Sequence, residues 1–189
     1  MQVVAGSARR ILLKTLPGDS TRPTSNRIKE TLFNILQPVI QGSRFLDLFA
    51  GSGAIGIEAL SRGAREAVFV ENSRQASACI QDNLTRTHLK EKAVLMTADV
   101  FAAVKRLSAA GRPFDVIFLD PPYDAGYEEA LLKELAASPL VTPDTLIIAE
   151  MRIRRELEGL DEMGLSVRRV KEYKNNKHVF LGLKGETHE

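Results

Sequence analysis

Hydrophobic residues along this 189-residue chain fall into two alternating patterns. Short, nearly all-apolar runs stand at the head of 44–60 and at 67–71, 93–96, 114–119 and 145–150. Runs of that brevity predict strands of a parallel sheet, the first of them buried. Between them, apolar positions recur three or four residues apart: Ile55, Ala59 and Leu60, then Ala76, Ile80 and Leu84 within 73–87, then Val104 and Leu107 within 100–109, with a further helical stretch over 127–137. That spacing predicts amphipathic helices. Two last β-like runs, 165–170 and 178–183, read as a closing pair. The whole predicts an α/β fold: a doubly wound, mostly parallel seven-stranded sheet with helices on both faces and ligands at the carboxyl ends of the strands.

Before the first strand the pattern differs. Runs at 2–5 and 10–14, parted by Gly6-Ser7, predict a small β-hairpin outside the main sheet. Leu16-Pro17-Gly18-Asp19 is a turn. Arg22-Pro23-Thr24-Ser25-Asn26 then leads into a helix with Thr24 or Ser25 as N-cap. Its expected buried face is Ile28, Leu32, Ile35 and Leu36, and Pro38 with Gly42 is expected to close it. With no repeats or linkers, the expected organisation is an N-terminal hairpin extension over 1–20 and one domain over 21–189.

Composition narrows the class without naming it. A hydrophobic content of 44% suits one well-cored domain. No apolar run approaches the roughly 20 residues of a membrane span. The opening Met1-Gln2-Val3-Val4-Ala5-Gly6 lacks a basic region followed by a long apolar core, so no secretory signal is expected. The single cysteine, Cys79, makes no internal disulfide, and no Cys/His cluster has metal-ligand spacing. The expectation is a cytoplasmic protein without a metal. Net charge is only +2, but its distribution is uneven. Arg9, Arg10, Lys14, Arg22, Arg27 and Lys29 crowd the start, and Arg152, Arg154, Arg155, Arg168, Arg169, Lys171, Lys174 and Lys177 crowd the end. Two basic flanks suit a phosphate backbone lying across one end of the domain.

Candidate chemistry begins at the first strand. Gly51-x-Gly53-x-x-Gly56 follows it and opens a helix, which lets backbone approach a ligand and aims amides at it. Read as a pattern this is a dinucleotide fingerprint, with Glu71 at about the expected 20 residues beyond. Asp47 separates two readings. A dinucleotide would put a pyrophosphate at this turn, which a carboxylate repels. S-adenosylmethionine carries an α-ammonium and a sulfonium and no phosphate, so a carboxylate helps. In either reading Glu71 can accept both ribose hydroxyls. Asp47, Glu71, Asp99 and Asp120 all fall at or just past successive strand ends. Asp99 is suited to accept from the adenine amino group, or to cap the following helix.

Asp120-Pro121-Pro122-Tyr123 follows a wholly apolar strand. Two prolines stiffen the loop and remove two donors, leaving a carboxylate and carbonyls as acceptors for an exocyclic amine. Such a nitrogen is a poor nucleophile because its lone pair is delocalised, and holding its hydrogens out of plane localises that pair. Tyr123 offers a ring for base stacking.

The glycine turn and the Asp-Pro-Pro-Tyr loop together resemble class I S-adenosylmethionine-dependent amino-methyltransferases. Nearly the whole chain, from the Ala5-Gly6 hairpin through Arg22-Pro23-Thr24 and Leu32-Phe33-Asn34-Ile35-Leu36 to the tail, resembles the bacterial family that methylates N2 of a guanine in 16S ribosomal RNA. The resemblance implies a Rossmann-like methyltransferase fold. It implies a cofactor set of Arg22, Pro23, Thr24, Asp47, Phe49, Ala50, Gly51, Ser52, Gly53, Glu71, Asn72, Asp99 and Val100, a catalytic loop of Asp120, Pro121, Pro122 and Tyr123, and RNA contacts at Arg9, Arg10, Arg22 and Arg27. Asn26, where an aspartate is usual, and Glu172-Tyr173-Lys174-Asn175-Asn176, where a tyrosine-glycine turn is common, depart from the family pattern. The implied protein is a monomer that methylates 16S rRNA, in a small subunit or an assembly intermediate. An adenine-N6 DNA methyltransferase is the near alternative, since the same loop serves that amine. A nicotinamide-dependent oxidoreductase is the more distant one.

Overall fold

The computed structural model describes residues 1–18, 26–123 and 125–185. Seven strands form one sheet: β1 (Arg44–Asp47), β2 (Glu66–Glu71), β3 (Ala93–Thr97), β4 (Val116–Leu119), β5 (Leu146–Arg152), β6 (Leu165–Glu172) and β7 (Asn176–Leu183). Their order is β3-β2-β1-β4-β5-β7-β6. The pairs β1–β2, β2–β3 and β4–β5 are parallel, whereas β7 runs antiparallel to both β5 and β6. Among the described residues, α1 (Asn26–Ile40) precedes β1, and α2 (Ala54–Ser61), α3 (Arg74–Thr87), α4 (Val100–Ala110) and α5 (Tyr127–Ala136) connect the first five strands in turn. By contacts the chain divides into two compact units, Met1–Val100 and Phe101–Glu189.

In the first unit every residue of β1 is buried, the apolar Phe45 and Leu46 together with the charged Arg44 and Asp47 at its ends. Helix α2 is buried on nearly all sides rather than along one stripe, with Ile57, Glu58 and Ala59 inaccessible and Ile55 only half-buried. It packs this closely because of Gly56: a Cβ there would stand 2.4 Å from Cε1 of Phe69 on β2. Helix α3 buries Ala76, Ile80 and Leu84 as expected, and Ser73 caps it by accepting from the Ala76 amide at 3.2 Å.

Helix α1 departs from expectation in two ways. Pro38 lies inside it, on the exposed side of the last turn, rather than ending it; there it removes one amide donor. Its buried stripe is Lys29, Leu32, Phe33, Leu36 and Ile40, with Ile28 and Ile35 half-buried. A wholly buried lysine is not legible from periodicity. Lys29 Nζ donates to the Gln2 carbonyl at 2.7 Å and lies 3.3 Å from Glu58 Oε1, itself inaccessible. Burial lowers the Lys29 pKa, and the Glu58 carboxylate opposes that. Glu58 also accepts from the Val4 amide at 2.8 Å and the Ala5 amide at 3.3 Å.

The N-terminal segment is therefore held by buried polar contacts. Its hairpin is reduced to one antiparallel bridge, Gln2 to Leu12, outside the sheet. Ser61 Oγ donates to the Ala5 carbonyl at 2.6 Å and accepts from the Ala8 amide at 2.9 Å. The expected N-cap, Thr24 or Ser25, lies outside the described residues.

In the second unit β4 is fully buried, and β5 is buried along its middle. The tail forms β6 and β7, turning at Tyr173, whose amide donates to the Asn176 carbonyl at 2.8 Å. Strand β6 is the edge of the sheet, with a register shift between Val167 and Arg169.

Candidate active site

The end of β1 carries the first cluster. Asp47 is 1% exposed, and neither carboxylate oxygen has a hydrogen-bond partner. Burial pushes its carboxyl up to about 7 from an ordinary 3.8, and the Glu71 carboxylate pushes the same way. The Gly56 and Phe49 amides pull it down, but neither reaches hydrogen-bond geometry. A buried anion without donors is costly, and a group bearing an ammonium would offset that cost.

The turn that follows is built by positive φ. Gly51 sits at φ 56° and Gly53 at φ 84°, values an L side chain rarely adopts. A Cβ on Gly51 would meet nothing within 4 Å, so its face of the turn is open. Glu71, half-buried at the end of β2, pins this turn: Oε2 accepts from the Gly51 amide at 2.8 Å, and Oε1 accepts from the Ser73 amide at 3.0 Å. A carboxylate offers about four acceptor positions, so two remain for ribose hydroxyls. Asn72 beside it is exposed, Ala50 is buried, and Phe49 and Ser52 are half-buried. Asp99 is exposed one residue ahead of α4, and Val100 is the buried first residue of that helix.

One residue of this turn's support was missed by sequence reasoning. Asn83 on α3 is fully buried and donates from Nδ2 to the Ser52 carbonyl at 2.9 Å and to the Lys14 carbonyl at 3.0 Å. Its Oδ1 accepts from the Lys14 amide at 2.8 Å. It thus ties the glycine turn to the N-terminal segment. An asparagine in an otherwise amphipathic helix carries no periodic signal, which is why it escaped.

The second cluster lies in the second unit, at the ends of β4 and β5. Asp120 follows β4 and is half-buried, with Oδ1 sealed from solvent. Pro121 is buried, Pro122 exposed and Tyr123 half-buried. The Arg152 guanidinium, at the end of β5, lies 4.8 Å from the Tyr123 ring centroid, within cation–π range. Glu150, one residue past the Leu119–Ala149 pairing as Asp120 is, belongs to a buried network. Its Oε2 is 2.9 Å from His178 Nε2, and its Oε1 accepts from Asn176 Nδ2 at 2.9 Å. His178 Nδ1 lies 3.3 Å from the Tyr173 hydroxyl, whose pKa rises to about 12 through burial and the Glu150 charge. This network holds the ends of β5 and β7 together.

Arg22, Pro23 and Thr24 lie outside the described residues. Arg9, Arg10 and Arg27 are exposed, and Arg10 holds a left-handed φ of 71°. The basic flanks are thinner than the sequence suggests. Lys29 is buried against Glu58, Lys14 pairs with Asp82 at 2.7 Å, and Lys177 pairs with Glu156 at 3.0 Å. Among the described residues, no group of His, Cys, Asp and Glu side chains is arranged to hold a metal. No helix among them is long and apolar enough to cross a membrane.

A mostly parallel doubly wound sheet, with a glycine turn after β1 and an Asp-Pro-Pro-Tyr loop after β4, defines a methyltransferase of the Rossmann-like class. The chain belongs to the family described as "conserved hypothetical protein 95", whose model matches residues 1–181. It is 37% identical over 152 residues to the ribosomal RNA small subunit methyltransferase D of Haemophilus influenzae, covering 79% of this chain and 78% of that one. The solved structure of the Thermus thermophilus hypothetical protein TTHA0928 superposes with a TM-score of 0.83 at 32% identity, covering 97% of this chain and 99% of that one. A more distant structure, SMU.776 complexed with SAH, shares the fold alone: TM-score 0.68, 16% identity, 82% of this chain and 48% of that one.

Proposed function

We propose that this protein transfers a methyl group from S-adenosylmethionine to the exocyclic N2 of a guanine in 16S ribosomal RNA, in the cytoplasm and as a monomer. The observation that carries the reading is the Asp120-to-Tyr123 loop closing the buried strand β4. The cofactor reading rests on Asp47: two buried, unpartnered carboxylate oxygens at the end of β1 fit an α-ammonium.

When bound, S-adenosylmethionine supplies the methyl group on its sulfonium. The protein's part is positioning and charge. Asp47 meets the ammonium, Glu71 accepts the ribose hydroxyls, and Asp99 accepts from the adenine amine. Gly51, Ser52 and Gly53 present backbone, with Phe49, Ala50, Asn72 and Val100 around them. Arg22, Pro23 and Thr24 complete this set toward the methionine end.

Asp120 and the Pro121 carbonyl accept the two hydrogens of the guanine amine, which turns its lone pair outward. Tyr123 stacks on the base, an interaction of about 1–3 kcal/mol. The methylated nitrogen is acidic and loses its proton without a strong base. Most of the rate then comes from orientation. The target base must be unpaired or flipped out to enter such a loop. Arg9, Arg10 and Arg27 hold RNA phosphates.

The test is to incubate the protein with methyl-labelled S-adenosylmethionine and small ribosomal subunits, naked rRNA or DNA, then digest to nucleosides. Label in N2-methylguanosine from rRNA is the expected result. Label in N6-methyladenine from DNA, or none, overturns the reading.

A further inference from the structure

One buried polar network takes no part in the chemistry above: the cluster joining the ends of β5 and β7, inside the second unit. Glu150 is 4% exposed and His178 is inaccessible. Asn176 Nδ2 donates to Glu150 Oε1 at 2.9 Å, and His178 Nε2 lies 2.9 Å from Oε2, so both oxygens of the carboxylate are engaged. With Glu150 as acceptor the ring carries its proton on Nε2, which leaves Nδ1 to accept from the Tyr173 hydroxyl at 3.3 Å. Apolar residues of similar volume often hold a buried contact as well as charged ones do. What a fully satisfied polar cluster adds is a fixed geometry.

Strand register sets what that geometry faces. Glu150 stands opposite His178, and Arg152 opposite Asn176, on the antiparallel β5–β7 pair. Opposed residues, and residues two apart along a strand, share a face, so all four side chains lie on one side of the ladder. From that side they meet β4 and its loop at two points. The His178 ring stands edge-on to Phe118 at 5.9 Å, two residues ahead of Asp120. The Arg152 guanidinium lies 4.8 Å from the Tyr123 ring centroid. Arg152 and Tyr123 each hold a further interaction as well, so this is a contact between two committed side chains. Tyr173 and Asn176 come from the stretch that departs from the family pattern.

We propose that Glu150, Asn176 and His178 are positioning residues for the loop that holds the base. They fix the end of β5, so that Arg152 backs one face of the Tyr123 ring and the guanine takes the other. They also hold Phe118 at the strand end that carries Asp120. None of the three touches substrate or cofactor. The proposal rests on the guanine reading above and adds to it the means by which the tail, remote in sequence, sets the attitude of the stacking ring.

Two measurements on the full chain test it. The first is steady-state transfer of labelled methyl to small ribosomal subunits. Asn176→Ala should lower kcat about two- to thirty-fold, the range of one cation–π contact, while KM for S-adenosylmethionine stays as in wild type. Arg152→Ala should act alike, and the double variant should fall well short of the product of the two, because both remove one brace. Glu150→Gln keeps a hydrogen-bonding partner for Asn176 and His178 and should retain most of the rate. The second measurement uses the absence of tryptophan from the chain. Tyr123→Trp adds a lone reporter whose emission a stacked guanine quenches. A guanine-centred oligoribonucleotide at saturation should quench it, and adding Asn176→Ala should remove most of that quenching.

Wild-type kcat and quenching in Asn176→Ala, or effects of Asn176→Ala and Arg152→Ala that multiply, overturn the positioning role. Asn176 is half-buried and Arg152 exposed, so these variants decide the matter where truncating the buried Glu150 or His178 would disturb the fold. If wild type puts no label into rRNA, the guanine reading fails and the positioning role with it. Labelled rRNA with variants that behave like wild type is a different result, which overturns the positioning role alone.

Discussion

Replacing Asp47 by Asn should make the protein more stable and a poorer binder of S-adenosylmethionine at the same time. A carboxyl held near 7 in the fold, against 3.8 when free, represents about 4 kcal/mol at about 1.4 kcal/mol per pH unit. The folded pKa is the higher one, so between about pH 4 and 7 the folded state binds more protons, and stability falls as pH rises through that window. Above about pH 7 the full cost is present; below about pH 4 it is gone. Asparagine is nearly isosteric and carries no charge to desolvate. At about pH 8, Asp47→Asn should therefore exceed wild type by up to about 4 kcal/mol, and by about 2–3 kcal/mol less at about pH 5. Relaxation of the site would reduce both figures without changing the sign. Urea unfolding of both proteins at the two pH values measures this. Calorimetry should show S-adenosylmethionine affinity falling about ten- to a hundred-fold, the scale of a charge-assisted hydrogen bond. If Asp47→Asn were no more stable at about pH 8, or followed the same pH course as wild type, Asp47 would be compensated within the fold, and the case for an ammonium at this turn would collapse.

Three further outcomes follow from the same geometry. Glu58→Ala leaves Lys29 buried without its carboxylate and frees the Val4 and Ala5 amides, so urea unfolding should show a loss of about 3–5 kcal/mol, as for a broken buried ion pair; a loss under about 1 kcal/mol would show that water reaches Lys29. Asp120→Ala should keep cofactor affinity but lower methyl transfer at least about a hundred-fold, the effect of losing one transition-state acceptor. Asp120→Asn should retain appreciable activity, and equal inactivity of the two, with the fold intact, would mean that charge or proton acceptance is essential. Asn83→Leu removes the tie between Ser52 and Lys14, so KM for S-adenosylmethionine should rise about ten-fold or more with kcat less affected; a fall in kcat alone would show that the tie does not serve the cofactor turn.

The alternation of buried strands and amphipathic helices, the positive-φ glycine turn and the Asp-Pro-Pro-Tyr loop were legible in the sequence because each is written locally. A strand buried on both faces needs an apolar run, and a left-handed turn needs glycine. An acid at a strand end stands out against the apolar residues before it. What tertiary structure alone decided are matters of distance between segments far apart in the chain. Lys29 and Glu58 look like surface charges until the fold brings them within 3.3 Å of each other inside the core, where burial makes each depend on the other. Asn83 is an ordinary helix residue until α3 sets its amide against the carbonyls of Ser52 and Lys14. Arg152 belongs to an undifferentiated basic run until β5 delivers it to the ring of Tyr123. The state of Asp47 is of the same kind. Its place ahead of the glycines is sequence, but the pKa near 7 comes from exclusion of water, and only packing from every side can exclude water.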